Sequence, residues 1–210
     1  MNTAVATVFI VDDDPAIRDS LTLMIEQVDI AVHSFDSAEA FLSICQIDEA
    51  QAKCRRCAII DIRMTGINGM ELHSILLERN ILLPVIFLTG HGDIPMSVQA
   101  MKAGAVDFLT KPVSREKLLT SVRAAIQKSE RELSEKANHQ EALSHLANLT
   151  DREREVMLLA VQGLPNKHIA RQLSISHRTV EIHKSKIMQK TGAVNLLDLA
   201  RIAHEGESTG

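Results

Sequence analysis

Along the first half of the chain, short apolar runs alternate with stretches whose apolar residues recur every three or four positions. That alternation is the pattern of βα units laid onto a parallel sheet, whose strands are buried on both faces and therefore read as continuous apolar runs. It predicts five strands: Thr7 to Asp12, Ile30 to Phe35, Cys57 to Asp61, Val85 to Thr89 and Ala105 to Thr110. Helical patterns fall between them at Ala16 to Val28, Ser37 to Ile47, Gly69 to Arg79 and Pro95 to Ala103, the last with Gly104 placed to end it. A fifth helix is expected after Pro112. No Gly or Pro occurs from Val113 to Gln162, so the segment reads as a long connecting helix, with Asn138 as its point of interruption. The spacing of Leu119, Val122, Ile126 and Leu133 suits either a weak dimer seam or one face of a solvated linker helix.

A different pattern starts at Thr150. Thr150 and Glu153 form a capping box ahead of Val156, Met157, Leu159 and Ala160, and Gly163 ends that helix. Asn166 is placed to cap a short second helix holding Ile169, Ala170 and Leu173. Ser176 is placed to cap a third, whose apolar positions Val180, His183 and Ile187 continue toward Gly192. Leu196 to Ala203 supplies a fourth. Two short helices joined by the tight turn from Leu173 to Ser176, the second rich in Lys and Arg, are the sequence image of a helix-turn-helix.

Composition narrows the function classes. The chain has 210 residues, 45% of them apolar and 24% charged, enough for two small domains with real cores. Its longest nearly apolar runs are 8 residues, far short of the ~20 a membrane helix needs, and no basic residue precedes the first of them. The expectation is a cytoplasmic protein with no membrane partner. There is no Trp or Tyr, and the five Phe lie in roughly the first half, which disfavours modules that stack bases on aromatic rings. The net charge of −4 hides an asymmetry: between Gly163 and Gly192 stand six Lys or Arg against one acid, Glu181. Such a stretch suits a phosphate-binding face.

In a doubly wound sheet, ligands bind at the carboxyl ends of the strands, where the strand order reverses. The polar residues of the first half fall there. Asp12 and Asp13 close strand one, Asp61 closes strand three, Thr89 closes strand four and Lys111 follows strand five. Three carboxylates in one crevice repel one another and are best satisfied by a hard divalent cation with oxygen ligands, for which Mg²⁺ is the natural choice. Asp61 can then act as a nucleophile toward a phosphoryl group, with the Thr89 hydroxyl and the Lys111 ammonium neutralising the transferred charge.

These residues resemble the receiver domain of two-component response regulators. The resemblance rests on VDDD at 11–14, DIRMTGING at 61–69, TGHGD at 89–93 and KAGAVDFLTKP at 102–112, with spacings of 48, 28 and 22 residues from Asp13 to Asp61 to Thr89 to Lys111. It implies Asp61 as phospho-acceptor, Asp12 and Asp13 as metal-site acids with Asp61, and Lys111 as the cation on the phosphoryl group. It also implies Phe108 as the aromatic switch that moves with Thr89, and a cis Lys111–Pro112 bond. Thr65 departs from the family, which usually has Pro there, and is expected to loosen the loop after Asp61.

Residues from about 149 to 204 resemble the LuxR-type helix-turn-helix of the NarL/FixJ family, through LTDREREVMLLA, NKHIARQLSIS and RTVEIHKSKIMQK. HGDIPMSVQAMKAGAVDF looks like the FixJ-type branch in particular. On the helix from His177 to Lys190, Glu181, Ile182 and Ser185 share an exposed face with Arg178 beside them, where base edges are read. Lys167, Lys184, Lys186 and Lys190 are phosphate candidates. Asn166 and Thr179 complete the expected DNA-binding set. The whole reads as an α/β doubly wound, five-stranded parallel sheet (flavodoxin-like, the receiver fold) joined by a helical linker to a small all-α helix-turn-helix domain, over 1–125, 126–148 and 149–210. The implied function is transcription regulation controlled by phosphoryl transfer from a sensor histidine kinase. Double-stranded DNA, a second copy of the chain upon phosphorylation and RNA polymerase are the further partners, and Mg²⁺ is the cofactor.

Two other chemistries suit the residues less well. A phosphatase of the haloacid-dehalogenase type places a second Asp two residues after its nucleophile, where this chain has Arg63, and needs no basic C-terminal helix. Cys54 and Cys57 form a CxxC with Cys45 nearby, but zinc needs four ligands and no His lies close in sequence, so these read as incidental thiols.

Overall fold

The computed structural model describes residues 6–45, 54–90 and 94–207. Gln46 and Ile47 of the second expected helix, and His91, Gly92 and Asp93 of TGHGD, lie outside the described residues, as does the side chain of Cys45. The chain divides into two compact units, 1–133 and 134–210.

The first unit contains β1 (Thr7–Val11), α1 (Pro15–Glu26), β2 (Ala31–Phe35), α2 (Ala38–Cys45), β3 (Arg56–Asp61), α3 (Gly69–Glu78), β4 (Val85–Thr89), α4 (Ile94–Lys102) and β5 (Asp107–Thr110). Its strands are all parallel, in the order β2-β1-β3-β4-β5, so the order reverses between β1 and β3. Successive side chains on a strand point to opposite faces, and two separate cores result. Phe9, Val11, Ala58, Ile60, Val85 and Phe87 face one side, against Phe41 of α2, Leu72 and Leu76 of α3 and Ala100 of α4. Val8, Ile10, Cys57, Ile59, Ile86 and Leu88 face the other, against Leu21 and Ile25 of α1. β3 and β4 are buried along their full length, which is why they read as unbroken apolar runs, whereas the edge strand β2 is only partly covered.

α5 (Arg115–Ala147) follows as one helix of 33 residues. The interruption expected at Asn138 does not occur, because no Gly or Pro stands there and Asn138 is an ordinary helical position. Of the four expected stripe positions, Leu119 and Val122 are buried in the core under α1 and Ile126 packs against it, so these three face inward within the chain. β5 begins two residues later than expected. After Gly104 turns with φ +94°, Ala105 N–H still donates to Ala100 of α4 (3.2 Å) and only then does the chain join the sheet.

The second unit holds α6 (Asp151–Val161), α7 (Asn166–Gln172), α8 (His177–Thr191) and α9 (Leu196–Glu207). Its core is built from Ala142, Leu146, Val156, Met157, Ile169, Val180, Ile187 and Leu199 among others. The Thr150–Glu153 capping box is present, and Ser176 accepts from Thr179 N–H at 3.0 Å to start α8. Asn166 does not cap α7. Pro165 occupies that position, with no side-chain bond, while the Asn166 amide oxygen is held by the Lys184 ammonium at 2.9 Å. Between α7 and α8 the chain turns through Ser174, at φ +54°.

One ion pair anchors this unit. The buried Glu153 carboxylate receives Lys190 Nζ at 2.6 Å and Thr150 N–H at 2.9 Å. The Lys190 bond first, and the Thr150 bonds after it, hold its carboxyl down from 4.5 to about 2. A carboxyl with a lowered folded pKa adds stability that is complete above its unfolded value of 4.5 and is lost as pH falls toward 2. Lys190→Met is expected to destabilise this unit by ~1–3 kcal/mol near neutral pH, since it leaves a buried carboxylate short of a partner. Urea titrations followed by helical circular dichroism should show the gap between variant and parent narrowing as pH is lowered through that range.

Candidate functional site

β1 and β3 are neighbours in the sheet and parallel, so their carboxyl ends open into the same crevice. Asp12 follows the last residue of β1, Asp61 is the last residue of β3, and both are buried, while Asp13 is exposed at the rim. One carboxylate oxygen from each of the three lies within 4.8 Å of the others, and among the described residues this is the one such group of three possible metal ligands. Thr89 closes the adjacent β4 and is fully buried. Lys111 follows β5, and its backbone N–H donates to the Thr89 carbonyl at 2.7 Å. Phe108, half-buried, lies on β5 opposite Phe87 and packs on the core of that side. The Lys111–Pro112 peptide is cis. Asp12, Asp13, Asp61 and Lys111 therefore converge, with Thr89 at the end of the adjacent strand and Phe108 on the strand beyond it.

Lys111 Nζ donates to Asp12 Oδ2 at 2.7 Å and lies 3.2 Å from Asp61 Oδ1. Burial works against its ammonium, but the hydrogen bond to Asp12 and the charges of Asp12 and Asp61 outweigh it and raise the Lys111 pKa. Asp61 moves the same way for a different reason. Burial raises its carboxyl above the ordinary 3.8; Lys111 opposes this, and Asp12 and Asp13 add to it. One ammonium therefore does not balance three carboxylates. With the folded pKa of Asp61 raised, stability is lost as pH climbs from 3.8 through the folded value, so at neutral pH the ionised Asp61 costs the fold stability. Oxygen donors carrying an uncompensated double negative charge fit a hard divalent cation such as Mg²⁺.

Three neighbours shape the site in ways that the residue pattern does not show. Gly69 brings α3 against the strand end: a Cβ there would lie 2.3 Å from the Asp61 carbonyl oxygen. The only signal for it was a glycine opening a helix, a position that any small residue could fill. Arg18 of α1 donates to the Asp12 carbonyl at 2.7 Å and fixes the β1–α1 loop. No pattern singles out that arginine. Thr65, expected to loosen its loop, instead ties it to Asp13: its N–H and hydroxyl both donate to Asp13 Oδ2, at 3.3 and 3.4 Å. Asp13 and Thr65 line a cavity of about 630 Å³ with Arg63, Asn68, Met96 and Gln99.

Cys57 faces the core between β1 and β4, where burial pushes its thiol up to about 12. A protonated, buried thiol is neither a metal ligand nor a nucleophile.

On α8, Arg178, Glu181, Ile182, Ser185 and Lys186 are exposed, and so is Lys167 on α7. Glu181 carries its carboxylate 3.5 Å from His177 Nδ1. The remaining candidates hold the helices together. Thr179 bonds the Ser176 cap, Lys184 bridges α8 to Asn166 of α7, and Lys190 pairs with Glu153 of α6. Val180 and Ile187 turn the opposite side of α8 into the core. Among the described residues no helix is long and apolar enough to cross a membrane.

Comparison with known proteins agrees with both halves. Residues 8–123 match the model of the response regulator receiver domain, and residues 147–203 match that of bacterial regulatory proteins of the luxR family. The chain is 38% identical over 196 residues to the transcriptional regulatory protein FixJ of Bradyrhizobium diazoefficiens, covering 93% of each. It is 40% identical over 205 residues to the transcriptional regulatory protein TdiR of Thauera aromatica, covering 97% of this chain and 87% of that one. Among solved structures, the response regulator StyR superposes with a TM-score of 0.80 at 35% identity, covering 96% of this chain and all (100%) of that one. Full-length FixJ from B. japonicum superposes with a TM-score of 0.58 at 36% identity, covering 97% and 98%. The chain belongs to the response regulators of the FixJ type, in which a receiver domain is joined to a luxR-type DNA-binding domain, and it is a transcriptional regulator of a two-component system.

Proposed function

We propose that Asp61 accepts a phosphoryl group from the phosphohistidine of a sensor kinase. The observation that carries this reading is the position of Asp61 at the buried end of the central strand, with two carboxylates within 4.8 Å and Lys111 Nζ at 3.2 Å. An Asp61 carboxylate oxygen forms the new bond to phosphorus while the nitrogen–phosphorus bond of the donor breaks, and the departing imidazole is left to take a proton. The Thr89 hydroxyl and the Lys111 ammonium hold the phosphoryl oxygens. Asp12, Asp13 and Asp61 would hold a Mg²⁺ ion, which would supply the missing positive charge and polarise the phosphoryl group. Lys111 is paired with Asp12 and Asp61 before reaction, and its third N–H donor is the one that meets the phosphate. This chemistry modifies the protein itself and turns over no separate substrate.

Thr89 then closes on the phosphate and Phe108 follows, altering the surface of α4 and β5, where Val98 and Met101 are exposed. In this reading that surface pairs two copies and sets two helix-turn-helix units on half-sites about one DNA turn (~10 base pairs) apart. A shift from 1% to 99% active requires ~5.5 kcal/mol of preference for the active state, and dimer contacts are its source. Residues 1–125 serve as the receiver, 126–148 as the linker and 149–210 as the DNA-binding domain of a cytoplasmic regulator that acts on RNA polymerase.

On DNA, Glu181 accepts from a cytosine amino group, Ile182 meets a thymine methyl, and Arg178 and Ser185 reach neighbouring edges or phosphates. Lys167 and Lys186 take phosphates. Lys184 and Lys190 join them with the N–H donors that their bonds to Asn166 and Glu153 leave over, and Asn166 and Thr179 act at the margin of the interface.

Acetyl phosphate with Mg²⁺ is expected to add one phosphoryl group to the parent protein and none to Asp61→Asn, as read by intact mass. The same treatment should convert the parent, but not the variant, from monomer to dimer in analytical ultracentrifugation. Label retained on Asp61→Asn would place the acceptor elsewhere, and a phosphorylated monomer with raised DNA affinity would replace dimerisation by release of an inhibitory contact.

For DNA, Lys186→Ala should weaken binding to all sequences alike and flatten the salt slope by about one unit. Glu181→Ala should relax preference at one base position. Binding isotherms on a panel of single-base operator variants separate the two, and equal effects on preference would remove the assignment.

A further inference from the structure

The three carboxylates of the crevice are not held in the same way. Asp12 is buried, its Oδ1 accepts the Asp14 N–H at 3.0 Å and its Oδ2 accepts Lys111 at 2.7 Å. Asp61 is buried and meets Lys111. Asp13 has neither burial nor the lysine. Among the described residues, its carboxylate receives side-chain-directed hydrogen bonds from one residue alone, Thr65, whose N–H and hydroxyl both reach Oδ2. An exposed carboxylate left to itself samples several rotamers, and each must be given up when it takes a ligand.

Thr65 is exposed, in a loop anchored at both ends. The loop that carries it starts at Ile62, whose N–H donates to Leu88 of β4 at 3.0 Å. It returns at Gly69, whose N–H donates to the Ile62 carbonyl at 3.1 Å, and Asn68 caps α3 beside it. The donors therefore come from a frame built on the same strands that carry Asp61. A carboxylate offers about four lone-pair directions on its two oxygens, so two bonds to Oδ2 leave lone pairs over for a further ligand. Proline, with no N–H and no hydroxyl, could supply neither bond.

We infer that Thr65 is a positioning residue that holds the Asp13 carboxylate in its metal-facing orientation and thereby sets the affinity of the crevice for Mg²⁺. The inference rests on the proposal that Asp12, Asp13 and Asp61 bind that ion. Outer-shell partners of metal ligands commonly change affinity by about 10- to 100-fold when removed. The long bonds at Asp13 put Thr65 at the lower end of that range.

The test is isothermal titration of Mg²⁺ into the unphosphorylated full-length protein, with melting temperatures in EDTA measured alongside. Thr65→Val keeps the shape and the N–H but removes the hydroxyl, and its Mg²⁺ dissociation constant is expected to rise by roughly tenfold. Thr65→Pro removes both donors and should bind at least as weakly, whereas Thr65→Ser should stay within about twofold of the parent because it restores both. Melting temperatures of parent, Val and Ser proteins in EDTA should agree. Three results would overturn the inference: Val binding as tightly as the parent or more tightly, Ser binding as weakly as Val, or a Val melting temperature in EDTA that falls with its affinity. A parent protein that takes up no Mg²⁺ overturns the cofactor proposal itself, a failure distinct from the other three.

Discussion

The first domain is organised around an electrostatic imbalance. Asp12, Asp13 and Asp61 bring carboxylate oxygens within 4.8 Å of one another, and a single ammonium, Lys111, stands against them. Like charges at that distance in a partly desolvated crevice are unfavourable, so the arrangement persists only because the surrounding fold over-determines it. The strands β1, β3 and β4 are fixed by apolar packing on two faces, and the acids stand at or just after the ends of β1 and β3. That repulsion is what a divalent cation held among the three carboxylates would relieve.

The second domain resolves its charges in the opposite way. Its buried carboxylate, Glu153, has a full set of partners in Lys190 and Thr150, and the group adds to stability. The consequence reaches α8. Lys184 and Lys190 each give a hydrogen bond, to α7 and α6 in turn, which sets the orientation of α8, and the exposed Arg178, Glu181, Ile182, Ser185 and Lys186 are what that orientation presents. Counting basic residues along a helix overstates the donors it has free for phosphate when some of them are structural.

Much of this was legible in the sequence because the relevant signals are local or periodic. The runs VFIV and VIFLT reveal buried strands because both faces of the sheet are covered, and Asp61, Thr89 and Lys111 stand at strand ends that any parallel sheet exposes. What the pattern missed depends on contacts between distant segments. The Asn166 side chain was free to cap its own helix until Lys184, 18 residues on, took it. The stripe at Leu119 and Val122 has the spacing of a seam, and only the packing under α1 decides that it faces inward. Thr65 looked like the loss of a rigid proline, yet its meaning lies 52 residues away at Asp13. Gly69 would pass for a neutral small residue until the 2.3 Å approach of the Asp61 carbonyl excludes a side chain.

The central claim is that the crevice carries unbalanced negative charge which the fold tolerates for the sake of its ligands. Differential scanning calorimetry of the parent and Asp61→Asn proteins at neutral pH, in EDTA and in Mg²⁺, tests it most directly. The raised pKa of Asp61 means that its ionised form opposes folding, so in EDTA the Asn variant should melt at the higher temperature, and Mg²⁺ should raise the parent far more than the variant. An Asn variant that melts below the parent in EDTA, with Mg²⁺ shifting neither, would contradict the account.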